Sequence, residues 1–388
     1  MAFLDYNSTT PLDPRVRESM MPWLTDEWGN ASTREYRLGW TAAEAVEEAR
    51  EAVCDLIHTR SNTIVFTSGA TESLSAVIRS FVGYSQWERC RIVTCATEHS
   101  AVLGPCEYLQ KLTNIELSVL NVNSSGLLCL DDLRSEVETE KRCLVVVMAA
   151  NNEVGTVQPI DEICRIAHEA GALFLCDLSQ AVGKMPVDLI GSKFDYAAFS
   201  SHKIYGPKGA GALFIRTGAD FEPLIVGGGQ ERGRRGGTLN VPAIVGFGRA
   251  CRIAKDEMEN DICRIELLRN KLEKNLLAEL RGLWINGVDT QRLCNTSSIG
   301  FRGVDARTLI RDLHDIDCST KSACSSGDAK PSHVLKALGL TDEAAYSCVR
   351  FSLGRFTSEQ EIDYAIEKIV HFTQKLRRNT NYSSECPI

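Results

Sequence analysis

The 388 residues carry 51 Asp and Glu against 43 Lys and Arg, a net charge of -8, with 44% hydrophobic side chains. Such a chain can bury a large core and a smaller one, and its acidic balance argues against direct nucleic-acid binding, leaving RRGG at 234–237 as the one basic candidate. Apolar runs such as Leu144 to Ala150 are too short to span a membrane, and MAFLDYN is no basic-then-apolar leader, so a cytoplasmic protein with no membrane partner is expected.

Fifteen cysteines are scattered without a C-x-x-C pair or zinc-type spacing, which points to free thiols in a reducing compartment and to no metal. For Cys54, Cys143, Cys164, Cys176 and Cys251 the expected role is a small buried hydrophobe.

Taken in chain order, the first strong signal is an amphipathic helix over 41–57, TAAEAVEEAREAVCDLI. Short β-rich runs then alternate with helical segments: TIVFT at 63–67, RIVTC at 91–95, ELSVL at 116–120 and CLVVVMA at 143–149. The helix IDEICRIAHEAG at 160–171 ends on a glycine, and ALFLCD at 172–177, YAAFS at 196–200 and GALFI at 211–215 complete the set. This alternation predicts an α/β fold, a mainly parallel seven-stranded sheet with crossover helices. After a glycine-rich stretch at 227–237, a charged helix from Ala243 to Leu280 bridges into a smaller α/β unit. That unit is read as a strand at Thr296–Phe301, a helix at 305–314, a Gly/Ser-rich loop at 322–330, a strand at 348–352 and a closing helix at 358–377. The division expected is a large domain of 15–258, a small domain of 1–14 with 259–377, and a flexible tail of 378–388.

Chemistry concentrates where strands end. In FSSHKIYGPKGAGALFI, Lys203 follows a buried strand, and the carboxyl ends of strands in such sheets are where ligands sit. A partly desolvated lysine there can condense with an aldehyde cofactor. Asp177 ends another strand, where a carboxylate suits a protonated pyridine nitrogen. FTSGATES at 66–73 reads as strand, glycine turn and helix start, so Ala70 and Thr71 can hold a phosphate. Each of these signals is weak alone.

Together with TEHSAVL (97–103), NNEVGTVQPI (151–160), DLSQAVGK (177–184), GGGQERGRRGGT (227–238), KSACSS (321–326) and RFSLGRF (350–356), these segments resemble the cysteine desulfurases of the class-V aminotransferase family. The likeness runs from about Leu4 to about Thr373 and is to the NifS/IscS type, which carries its cysteine in a long Ser-Ala-Cys loop. It implies a fold-type-I homodimer that uses pyridoxal 5'-phosphate to convert L-cysteine to L-alanine, passing sulfur through a persulfide to an acceptor protein. In that frame Lys203 forms the Schiff base, Asp177 holds the pyridine nitrogen, His99 stacks on the ring and handles protons, and Gln180 bonds the ring hydroxyl. Ala70, Thr71, Ser200 and His202 hold the phosphate, with Thr238 arriving from the partner subunit. Asn152 and Arg350 grip the substrate carboxylate, and Cys324 takes the sulfur.

Three departures stand out: Lys321 where a glycine is common, Ala31 and Tyr36 in GNASTREYRLG, and RGGT with Gln230 where the family often has R-S-G-T and a histidine. The rival readings are another pyridoxal-phosphate activity, such as an aminotransferase or selenocysteine lyase, and a nonenzymatic relative that keeps only the fold. Cys324 distinguishes the first, and the intact Lys203, Asp177 and His99 speak against the second.

Overall fold

The computed structural model describes residues 1–84, 90–138, 141–320 and 330–379. Its larger sheet has seven strands in the order Ile64–Thr67, Gly211–Ile215, Tyr196–Ser200, Leu173–Asp177, Arg142–Met148, Cys90–Cys95 and Glu116–Leu120. Gly211–Ile215 runs antiparallel to both neighbours, and the other pairings are parallel. All seven strands coincide with the sequence runs within two residues at either end. The central ones are legible because both faces are covered: Leu144 and Val146 enter one apolar cluster while Val145 and Val147 enter another.

The helix Ile160–Glu169 stops as its sequence suggests. Gly171 adopts φ 73°, and the N–H of Ala172 closes on the carbonyl of Ala167 at 2.8 Å. Gly211 meets a different demand, close approach: a Cβ there would lie 2.5 Å from the Cα of Gly69, so only glycine lets this strand start against the 67–70 turn.

The helix Val241–Glu279 is 39 residues long and changes partners along its length. Val241 to Ala254 pack into the core of the large sheet, whereas Ile265, Leu268, Leu272 and Leu276 enter a separate core with Ile299, Phe301, Val349 and Phe351. Those last four belong to an antiparallel sheet of Cys348–Ser352, Thr296–Phe301 and Leu283–Ile285. The amino terminus joins the same core through Ala2 and Leu4, its strand Ala2–Phe3 pairing with Ile316–Asp317. The closing helix is Glu359–Asn379, so residues 378 and 379, read from sequence as tail, continue the helix. The 322–330 loop, with Lys321 and Cys324, and the rest of the tail fall outside the described residues, except Lys330.

Candidate active site

A cavity of about 170 Å³ opens at the carboxyl ends of the parallel strands. Its wall takes His99 from beyond Cys90–Cys95, Met148 from the end of Arg142–Met148 with Asn152 just past it, and Asp177 and Gln180 from the end of Leu173–Asp177 and just past it. Ser200, His202 and Lys203 follow Tyr196–Ser200, Ala70 and Thr71 open the helix Ala70–Tyr84, and Arg350 reaches in from the small sheet. Of the site residues expected from sequence, ten line this one cavity. Thr238 does not line it and is exposed.

Lys203 sits in a short 3-10 turn, and its Nζ donates to the carbonyls of Asn7 and Ser8 at 2.5 and 2.7 Å. Those two carbonyls hold the lysine at the cavity wall, and they come from a segment 195 residues away in sequence. Asp177 is buried, and its Oδ1 accepts the N–H of Ser179 at 2.9 Å. His99 caps the helix Ser100–Leu112: its Nδ1 accepts the N–H of Ala101 at 3.1 Å, which leaves Nε2 to carry the ring proton. Burial pushes the His99 pKa below its ordinary value, and Lys203 and His333 add to the fall while Asp177 opposes it. The imidazole is therefore neutral near pH 7, a proton donor at Nε2 and an acceptor only at Nδ1.

The Ala70 N–H donates to Ser200 Oγ at 2.8 Å, joining the helix start to the strand that leads to Lys203. His202 contacts Thr9 Oγ1 through Nδ1 at 3.1 Å, and burial together with Lys203, Lys208 and Lys184 pushes its pKa down to about 4. A neutral histidine, two hydroxyls and the positive end of a 15-residue helix form a donor set suited to a phosphate dianion. Lys203, Lys184 and Arg350 lie close enough to one another to disfavour further positive charge, so the surroundings favour anions. A carboxylate for a pyridinium, a lysine for an aldehyde and a cradle for a phosphate are the three demands of pyridoxal phosphate, and these residues fit all three.

Arg350 stands in the middle of Cys348–Ser352 and is buried. Its Nη1 donates to the carbonyl of Asn152 at 3.0 Å and its Nη2 to Asp5 Oδ1 at 2.5 Å, while Nε is buried with no partner among the described residues. Arg350 lines the cavity, and a planar guanidinium there suits a substrate carboxylate. Burial is the larger influence on Asp5 and raises its pKa, against the lowering effect of Arg350.

Asn7, Ser8, Asp5 and Glu98 were not singled out from sequence. Asn7 and Ser8 act through backbone carbonyls, which leave no mark in residue type. Glu98 is fully buried, its Oε1 accepting the Met148 N–H at 2.7 Å and its Oε2 unpartnered among the described residues. Desolvation raises its pKa well above the ordinary carboxylate value.

The five cysteines expected to be buried are buried, their thiols pushed up by desolvation, to about 11 for Cys54 and about 12 for Cys143 and Cys164. They are inert as nucleophiles at neutral pH. The basic run at 234–237 is engaged locally: Arg235 pairs with Glu72 at 3.0 Å, and Arg234 donates to the carbonyl of Asn62 at 3.1 Å.

This fold and donor set define a pyridoxal-phosphate enzyme with its lysine after a sheet strand. The model of the class-V aminotransferases matches residues 2–365, and the chain belongs to that family. It is 42% identical over 378 residues to the cysteine desulfurase IscS of Rickettsia typhi, an alignment covering 97% of this chain and 92% of that protein. Among solved structures it is similar to a NifS-like protein, with TM-score 0.90 and 36% identity over 96% of this chain and 99% of the other. It is also similar to SspA in complex with cysteine, with TM-score 0.81 and 32% identity over 92% and 100% of the two chains.

Proposed function

We propose that this chain is a pyridoxal-phosphate-dependent cysteine desulfurase, converting L-cysteine to L-alanine and taking the sulfur as a persulfide on Cys324. The observation that carries the reading is the meeting of Lys203, Asp177 and His99 with Arg350 in one cavity, in a chain so similar to a cysteine desulfurase.

When bound, pyridoxal phosphate supplies an electron sink for charge developing at the substrate's α-carbon. Asp177 would hold the pyridine nitrogen protonated, and Gln180 would bond the ring oxygen. Thr71, Ser200 and His202 hold the phosphate beside the Ala70 N–H end of the helix. Arg350 and Asn152 orient the substrate carboxylate, which sets the α-hydrogen toward Lys203. The amine of Lys203 takes that proton. The Cys324 thiolate attacks the substrate sulfur, the carbon–sulfur bond breaks with its electron pair left on carbon, and protonation yields alanine. His99, neutral and protonated at Nε2, supplies the proton in the thiol steps. One sulfur moves from substrate to enzyme thiol, so the exchange balances without an external oxidant.

The working unit is a homodimer. Thr238 is exposed on its own subunit, as a residue that completes a neighbour's phosphate site must be, and Trp28, Tyr36, Trp40 and Val226 are large exposed apolar residues available to a second copy. The large domain, 15–258, holds the cofactor, and the small one, 1–14 with 259–377, carries Cys324. Among the described residues no helix is long and apolar enough to cross a membrane. The enzyme acts in the cytoplasm and hands its sulfur to an acceptor protein for iron–sulfur cluster assembly or for thio-modification of tRNA or DNA. Intact-mass measurement after L-cysteine is added tests the central step: a 32 Da gain that maps to Cys324 is expected, and a gain elsewhere, or none during turnover, overturns it.

A further inference from the structure

Lys184 lies in the DLSQAVGK segment, one turn beyond Gln180, and is only partly exposed. Its Nζ donates to Gln180 Oε1 at 2.6 Å, and among the described residues it forms no ion pair. An ammonium only donates, so the atom facing it must be the amide oxygen. The Gln180 NH2 group then faces the other way, with one N–H on the Asn7 carbonyl at 3.0 Å and the second left for the cavity that Gln180 lines. The Asn7 carbonyl is a shared tether, since it also accepts from Lys203 at 2.5 Å. Lys184 is thus the partner that belongs to Gln180 alone.

We propose that Lys184 is a positioning residue that locks the Gln180 amide with its NH2 group toward the cavity, so that an anionic oxygen on the cofactor ring meets only a donor. The proposal rests on the reading that Gln180 faces that ring oxygen. An amide free to flip would present its carbonyl for part of the time and repel the oxygenate. Burial, with Lys203 adding to it, lowers the Lys184 pKa to about 7, so the lock is complete below that pH, where Lys184 is an ammonium, and weakens above it.

The test uses the cofactor-loaded protein and two readouts, the pH midpoint of the bound cofactor's absorbance change and the Kd for pyridoxal phosphate. Lys184→Met is expected to raise the midpoint and weaken binding by about 3- to 10-fold, the scale of one ordinary hydrogen bond. Gln180→Ala should move both in the same direction, the double variant should match Gln180→Ala alone, and Lys184→Arg should restore wild-type values. Lys184→Met within twofold of wild type while Gln180→Ala shifts both readouts overturns the inference, as does a double variant showing both effects in full. Gln180→Ala that moves neither readout overturns the reading of Gln180, and the inference with it. If Lys184→Met fails to fold, Lys184→Gln serves instead: its neutral amide offers either atom to Gln180, and the same shift is expected.

Discussion

Replacing Glu231 by alanine should destabilise the protein by about 3 kcal/mol, because it strips a buried guanidinium of its only buried counter-ion among the described residues. Arg50 and Glu231 are both buried, and the carboxylate receives Arg50 Nη1 at 2.8 Å, Arg50 Nη2 at 2.7 Å and the Phe66 N–H at 2.7 Å. Breaking such a pair from one side costs about 3–5 kcal/mol. The lower end applies here, since Arg50 keeps the carbonyl of Ile64, the exposed Glu47 and the ring face of Phe66 at 4.6 Å. Glu231 and Arg232 also hold left-handed conformations, φ 48° and 58°, which a released loop has no reason to keep. With an unfolding entropy of about 2 cal/mol/K per residue over 388 residues, 3 kcal/mol lowers Tm by about 4 °C. The assay is thermal unfolding of Glu231→Ala, Arg50→Met and the double variant. The double should recover more than half of the loss, because the penalty lies in the unpaired charge and not in the missing contact. A single-variant loss below 1 kcal/mol, or a double variant as unstable as the two losses added, refutes the reasoning. The loop matters beyond stability: Glu231 fastens it to the strand Ile64–Thr67 and Arg235 fastens it to Glu72 at the helix start, and the same loop carries Thr238.

Two further predictions concern Arg350, which lines the cavity, and the buried Glu98. Arg350→Lys loses the planar fork that spans Asn152 and Asp5, so KM for L-cysteine should rise about tenfold or more with kcat less affected; an unchanged KM removes Arg350 from substrate binding. Glu98→Gln tests the raised carboxyl pKa through pH. A carboxyl whose folded pKa exceeds its unfolded value costs stability progressively as pH rises past about 4.5, so the neutral isostere should match wild type at pH 4 to 5 and melt higher at pH 8. Equal melting temperatures at both pH values would show that Glu98 stays ionised at no cost.

The sheet was legible because parallel strands covered on both faces read as continuous apolar runs, as in Leu144 to Met148. The same coverage hides direction: nothing in GALFI marks Gly211–Ile215 as the antiparallel strand, since all five residues are buried whichever way it runs. Strands of two or three residues, Ala2–Phe3, Leu283–Ile285 and Ile316–Asp317, are too short to show a period and were not foreseen. At the site, Lys203 and Asp177 announced themselves by charge at strand ends. Asp5 was invisible because its partner Arg350 is 345 residues away, and the holders of Lys203 because they are carbonyls. Lys184 stood in a segment already noted, but only the placement of Gln180 gives it a task.

The most direct test of the account is alanine production from L-cysteine by the cofactor-loaded protein, with reductant, beside a Cys324→Ala variant that still binds the cofactor. Alanine from the wild type and none above background from the variant is the predicted result. Equal alanine from both, or none from a fully loaded wild type, contradicts sulfur transfer through Cys324.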